Sequence, residues 1–177
     1  MKKHIFYLKD MKKGLLLLLL FATLISARAQ DTVPAYRAKG YKGNVSYINR
    51  YLLWNGVETS HGYMFNERYY VGGGIGFGAM AWGDKAIITG SIFAEGEAYW
   101  LPRNNTPTTA VRLNYIRNFS GSTHNIFADV TVGWSWGVGS HYGISANAGV
   151  SIPVFSGTSW VLSDILLIPI LSVSFDF

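Results

Sequence analysis

Three histidines stand beyond residue 30, His61, His124 and His141, and an imidazole beside a hydroxyl is the minimum for nucleophilic chemistry. His124 has the best company, with Ser120 and Ser122 just before it. A working set also needs a carboxylate to orient the ring, and that loop carries none. We therefore expect no catalytic residue. No pair of histidines has ligand spacing and the chain lacks cysteine, which excludes thiolate metal sites, disulfides and cysteine nucleophiles; no metal is expected. Gly76-x-Gly78-x-x-Ala81 superficially fits a dinucleotide fingerprint, with Glu97 at a suitable distance downstream. Ala81-Trp82-Gly83-Asp84 reads as a turn, however, and without a helix amino terminus a pyrophosphate has no site. No cofactor is expected, and the glycines read as room for large neighbouring side chains or for tight curvature.

The remaining chemistry lies in Glu95, Glu97, Arg112 and Asp129, whose role depends on the elements that carry them. Ile126, Ala128, Val130, Val132, Trp134, Trp136 and Val138 alternate with Phe127, Asp129, Thr131, Gly133, Ser135 and Gly137, a period of two that makes one face apolar and the other mostly small or polar. Tyr142 to Val154 repeats the pattern. Ile88, Ile92, Ala94, Ala98 and Trp100 oppose Thr89, Ser91, Glu95 and Glu97, and Val111, Leu113, Tyr115 and Phe119 oppose Arg112, Asn114 and Asn118. The alternation is weaker in Tyr41 to Tyr51 and Val57 to Phe65, and Tyr70 to Ala81 is dominated by glycine. Turn signals fall at Asn55-Gly56, Asn66-Glu67, Gly83-Asp84, Pro102 to Pro107, Ser120 to Asn125, Gly139-Ser140 and Ser156 to Ser159, so about eight strands are predicted.

The formal charge of +5 belongs to the first 29 residues, which hold Lys2, Lys3, Lys9, Lys12, Lys13 and Arg28 against Asp10 alone. The remainder is neutral, so a nucleic-acid surface is not expected. Lys12 and Lys13, the apolar run Gly14 to Ile25 and Ala27-Arg28-Ala29 have the three parts of a cleavable export signal. The apolar run is too short for the ~20 residues of a spanning helix, and no later run is long enough. Met1 and Met11 are both possible starts. The expected organisation is a signal peptide over 1–29, a short periplasmic segment over 30–39 and one β domain over 40–177.

A soluble sandwich alternates too, but its outer face would be rich in lysine and glutamate. Charged residues make up only 14% of this chain, and the polar faces are glycine, serine, asparagine and threonine. Such residues suit the crowded interior of a narrow barrel with its apolar face toward lipid. The expected fold is thus all-β, an antiparallel transmembrane barrel of about eight strands. Trp82, Trp100, Trp134, Trp136, Tyr142 and Trp160 fall near strand ends, as an aromatic girdle at the headgroups requires. Glu95, Glu97, Arg112 and Asp129 then face the lumen, where burial demands pairing, and they are expected to form a salt-bridge cluster with Lys42 and Arg50 as further cations.

Ser60-His61-Gly62-Tyr63-Met64-Phe65-Asn66 followed by Tyr70-Val71-Gly72-Gly73-Gly74-Ile75-Gly76-Phe77 resembles the hairpin of a small porin-like family of outer-membrane β-barrels, related in architecture to the OmpA transmembrane domain. The resemblance runs from about Gly40 to Phe177, without a peptidoglycan-binding domain beyond it. It implies an outer-membrane location, membrane lipids and the barrel-assembly machinery as partners, and periplasmic turns at Asn66 and Pro102. Leu171, Val173, Phe175 and Phe177 resemble the carboxyl-terminal signal by which such barrels are recognised for assembly. The expected role is structural or in envelope interactions, with a side-chain-filled lumen and no enzymatic activity. The alternatives are a narrow pore, or a lipid A-modifying enzyme of the kind built on some barrels of this size.

Overall fold

Period-two alternation places successive side chains on opposite faces, and here the apolar face looks away from the molecule. The computed structural model describes residues 35–50, 54–82, 85–119, 121, 123–156 and 167–177. They form a 3-10 turn, Ala35–Arg37, and eight strands: β1 (Gly40–Arg50), β2 (Trp54–Asn66), β3 (Tyr69–Trp82), β4 (Lys85–Tyr99), β5 (Asn105–Asn118), β6 (His124–Val138), β7 (Tyr142–Ser156) and β8 (Ile168–Asp176). Each strand pairs antiparallel with the next, and β8 returns to β1 through Asn44↔Asp176 to Arg50↔Ile170. The result is a closed eight-stranded barrel with no free sheet edge.

Burial follows the alternation. In β1, Tyr41, Val45 and Tyr47 are exposed while Lys42, Asn44, Ser46 and Ile48 are buried. In β5 the exposed set is Val111, Leu113 and Tyr115, and in β8 it is Leu171, Val173 and Phe175. The core is the lumen itself. At the end opposite the one where β1 begins, Ile48, Trp54, Ile116, Phe127, Ile168 and Ile170 close it with an apolar cluster. Toward the end where β1 begins, Met64, Tyr70 and Tyr99 pack together. The lumen therefore takes large side chains as well as the small ones that the polar faces predict.

The glycine run of β3 explains how they fit. Gly72 lies under the Tyr70 phenol, Gly74 under the Phe93 ring, Gly76 against Glu58 and Ser91, and Gly78 under the Trp54 indole, each too close to leave room for a methyl group. The dinucleotide-like Gly76-x-Gly78-x-x-Ala81 thus lies inside a strand that continues to Trp82.

Three turn assignments change, one of them at His124 and Asn125, which belong to β6. Asn55-Gly56 is not a turn but part of β2, where Asn55 pairs with Asn49 and Gly56 with Ile48. Its glycine is needed because the Trp54 ring folds back over it. Pro107 lies within β5, opposite Trp134, so the turn before β5 ends earlier than Pro107. The residues 1–29, and the Gly83-Asp84 turn, lie outside those described.

Candidate functional site

The ion pairs of the described residues lie on the inward face of the barrel in three tiers. Nearest the start of β1, Lys42 is fully buried, its Nζ 2.7 Å from Glu97 Oε2 and 3.2 Å from Asp176 Oδ1. The ammonium also donates to the Tyr99 hydroxyl, which in turn donates to Glu97 Oε2 at 2.8 Å. Ser145 donates to Asp176 Oδ2 at 2.7 Å, and the Tyr70 and Tyr99 rings flank Lys42 at 4.7 and 4.9 Å. An ammonium has three protons and no acceptor capacity, so two carboxylates and a phenol oxygen complete its shell.

In the middle tier Arg112 is held between two strands' carboxylates. Its Nη1 lies 2.5 Å from Glu58 Oε2, and Nε and Nη2 lie 3.0 and 2.6 Å from Glu95 Oε2. Its guanidinium stacks 4.2 Å from the Phe93 ring centre, and Ser91 donates to the other Glu58 oxygen at 3.0 Å. The third tier joins Arg50 Nη2 to Asp129 Oδ2 at 2.8 Å, with Asn114 and Ser151 donating to the same carboxylate at 2.6 and 2.5 Å. Trp54 covers Arg50 at 4.7 Å and donates to Thr89 Oγ1 at 2.9 Å.

Glu95, Glu97, Arg112 and Asp129 all face the lumen, but they divide among the tiers instead of forming one cluster. Arg112 and Asp129 are register partners on β5 and β6. Even so, Arg112 pairs across the barrel with Glu58 while Asp129 takes Arg50. Glu58 and Asp176 belong to the network and were not anticipated. Glu58 was obscured because Thr59 and His61 make both faces of β2 polar, whereas Asp176 was readable from its alternation with Phe175 and Phe177.

A cavity of about 40 Å³ remains between tiers, lined by polar groups including Asn44, Ser46, Glu95, Asp129 and Asn147. That is room for a few waters, not for a solute. The mouth nearest the start of β1 is stopped by the 3-10 turn, whose Tyr36 and Arg37 are buried. Arg37 donates to the carbonyl oxygens of Glu67, Leu101 and Arg103, at 2.5 to 3.3 Å, and stacks 4.5 Å from Tyr99. The Tyr36 hydroxyl is 2.8 Å from Ser135 Oγ. Its phenol is pushed up to about 12, chiefly by burial and secondly by the Asp176 carboxylate.

Outside, Trp100, Trp134 and Tyr142 are exposed and Trp136 is half-buried, all toward the rim where β1 begins. The Trp160 position and the Trp82 side chain lie outside the described residues. Tyr142 stacks on Phe175 at 5.4 Å. Val173 and Phe175 are exposed on β8, and the Phe177 backbone exchanges two 2.9 Å hydrogen bonds with Gly43 while its ring covers that glycine.

The histidines are scattered over the exterior. His61 Nδ1 is 2.5 Å from the Tyr41 hydroxyl and Nε2 is 3.1 Å from Thr59 Oγ1, which satisfies both ring nitrogens. His124 is not in a loop but opens β6, stacked between Tyr115 and Phe155. Ser120 and Ser122 lie outside the described residues. Among the described residues no three metal-ligating side chains converge.

No family model matches the chain, and no curated protein matches it in sequence. Chains of solved structures match it to different degrees. Neisserial surface protein A (NspA) superposes with a TM-score of 0.55 at 16% identity, over 78% of this chain and 94% of that one. Ail, the attachment invasion locus protein of Yersinia pestis, gives a TM-score of 0.39 at 11% identity, over 79% and 97%. The former likeness, together with the closed eight-strand topology, shows the fold: a small, closed, antiparallel eight-stranded barrel like that of NspA.

Proposed function

We propose that this chain is an exported protein of a Gram-negative outer membrane, whose barrel spans the bilayer and serves a structural or envelope-interaction role. One observation carries the reading: the exposed face of the strands is a belt of Val, Ile, Leu, Phe, Tyr and Trp, while the lumen holds the ion pairs. A soluble protein rarely exposes so large a contiguous apolar surface, whereas a lipid-facing wall requires one. The fold likeness to a protein described as a surface protein supports the same location.

The lumen supports a packed wall over a pore. Among the described residues, three ionic tiers, an apolar cluster at one end and the Arg37 turn at the other fill the lumen around a small cavity. Enzymatic modification of a lipid has no geometric support, because His124 touches aromatic rings and no carboxylate among the described residues. Membrane lipids and the barrel-assembly machinery are the partners this reading requires, the latter through Val173, Phe175 and Phe177.

The test is gel mobility of the outer-membrane fraction before and after boiling. The expected result is a compact band that shifts on heating and resists extraction with alkali. A band that does not shift, or a soluble protein, would overturn the proposal.

A further inference from the structure

The belt has one charged exception. Among charged residues of the described strands whose side chains are placed, Lys42, Arg50, Glu58, Glu95, Glu97, Arg112, Asp129 and Asp176 turn inward, and Arg117 alone turns out. Arg117 sits near the end of β5, directly opposite His124 at the start of β6. Both are exposed, and no described carboxylate pairs with either.

Aromatic rings hold the imidazole of this pair. The His124 ring lies 5.5 Å from Phe155 at an interplanar angle of 15°, and 6.0 Å from Tyr115 at 28°. Phe155 reaches it because a register shift opposite Ile126 and Phe127 interrupts the alternation, leaving both Val154 and Phe155 exposed. On the other side Arg117 pairs with Gly90, and the Phe119 ring fills the space above that glycine. A cation and an imidazole are thus framed by aromatic rings at one rim of an otherwise apolar wall. At the same rim Tyr47, Asn49 and Asn55 form an outward hydrogen-bonded trio, an independent sign that lipid tails give way to headgroups there.

An arginine without a carboxylate partner among the described residues has a natural complement at that depth. Its planar fork of N–H donors matches a phosphate, an adjacent imidazole N–H adds a donor, and the rings suit the acyl chains below. We propose that Arg117 and His124 form a binding site on the outer wall for the phosphate of an anionic lipid headgroup. This rests on the membrane-spanning reading above.

The test uses the purified full chain in non-ionic detergent, with native mass spectrometry after addition of phosphatidic acid or phosphatidylcholine of the same acyl chains. The wild type is expected to retain phosphatidic acid preferentially. Arg117→Gln should reduce retention on the order of tenfold, Arg117→Lys should keep part of it, and Arg103→Gln, at the opposite rim, should leave it unchanged. Excess inorganic phosphate should not displace the lipid. Equal retention of the two lipids by the wild type overturns the proposal even if a variant fails to fold, and so does undiminished retention by Arg117→Gln. Displacement by inorganic phosphate would reassign the site to the free ion and overturn the lipid. Heat-shifted mobility of the wild type is scored separately, so failure of the membrane reading is distinguishable from failure of this site.

Discussion

At the residue scale, the ionic tiers show how a charge is tolerated in a narrow lumen: each cation meets a carboxylate, and the hydroxyls and amides around them satisfy most remaining lone pairs. Removing one member should cost more than removing the set. Arg112→Met would leave Glu58 and Glu95 buried without their cation, with an expected loss of about 3–5 kcal/mol in urea unfolding from lipid vesicles. Replacing Glu58, Arg112 and Glu95 together by apolar residues should recover most of that loss. Equal losses for the single and triple variants would show that packing, not charge, holds this tier. Much of this was legible in the sequence, since strict alternation in β4, β5 and β6 already turned Glu95, Arg112 and Asp129 inward. Which acid meets which base was not, because pairing runs across the barrel between strands far apart in sequence, as in Arg112 to Glu58 and Arg50 to Asp129.

At the element scale, β3 is the strand whose sequence says least and whose neighbours say most. Its glycines carry no periodic signal of their own, yet inward-facing Gly72, Gly74, Gly76 and Gly78 form the floor on which Tyr70, Phe93, Glu58 and Trp54 lie. Gly76→Val should force Glu58 off Arg112 and cost about 1–3 kcal/mol in the same unfolding assay. Gly96→Ala is the contrasting case, since a methyl there meets its nearest neighbours at 3.8 Å, and it should be neutral or stabilising by up to ~1 kcal/mol. If both variants behave alike, the floor is not what these glycines supply. The same logic explains the misplaced Asn55-Gly56 turn. In isolation that dipeptide is a strong hairpin signal, but its glycine serves a ring contact with Trp54 that a one-dimensional pattern does not display.

At the scale of the whole molecule, strand number and closure were readable from turn spacing and the two unlike faces, whereas the plug was not, since nothing in Ala35-Tyr36-Arg37 marks it as an interior segment. Arg37→Ala should lower stability by about 1.5–3 kcal/mol through the loss of its carbonyl contacts. It should not create conductance in planar bilayers, because the tiers beneath still fill the tube. Stepwise currents from the wild type would refute the packed-wall reading. The seam between β1 and β8 has a consequence for how the molecule comes to exist. It joins residues roughly 130 positions apart, such as Asn44 and Asp176, so every other hairpin can zip locally while this one waits on the longest loop closure. Until that junction locks, the greasy wall has two raw borders open to neighbours. Once the ring is sealed those borders are gone, and unfolding has to part the seam again.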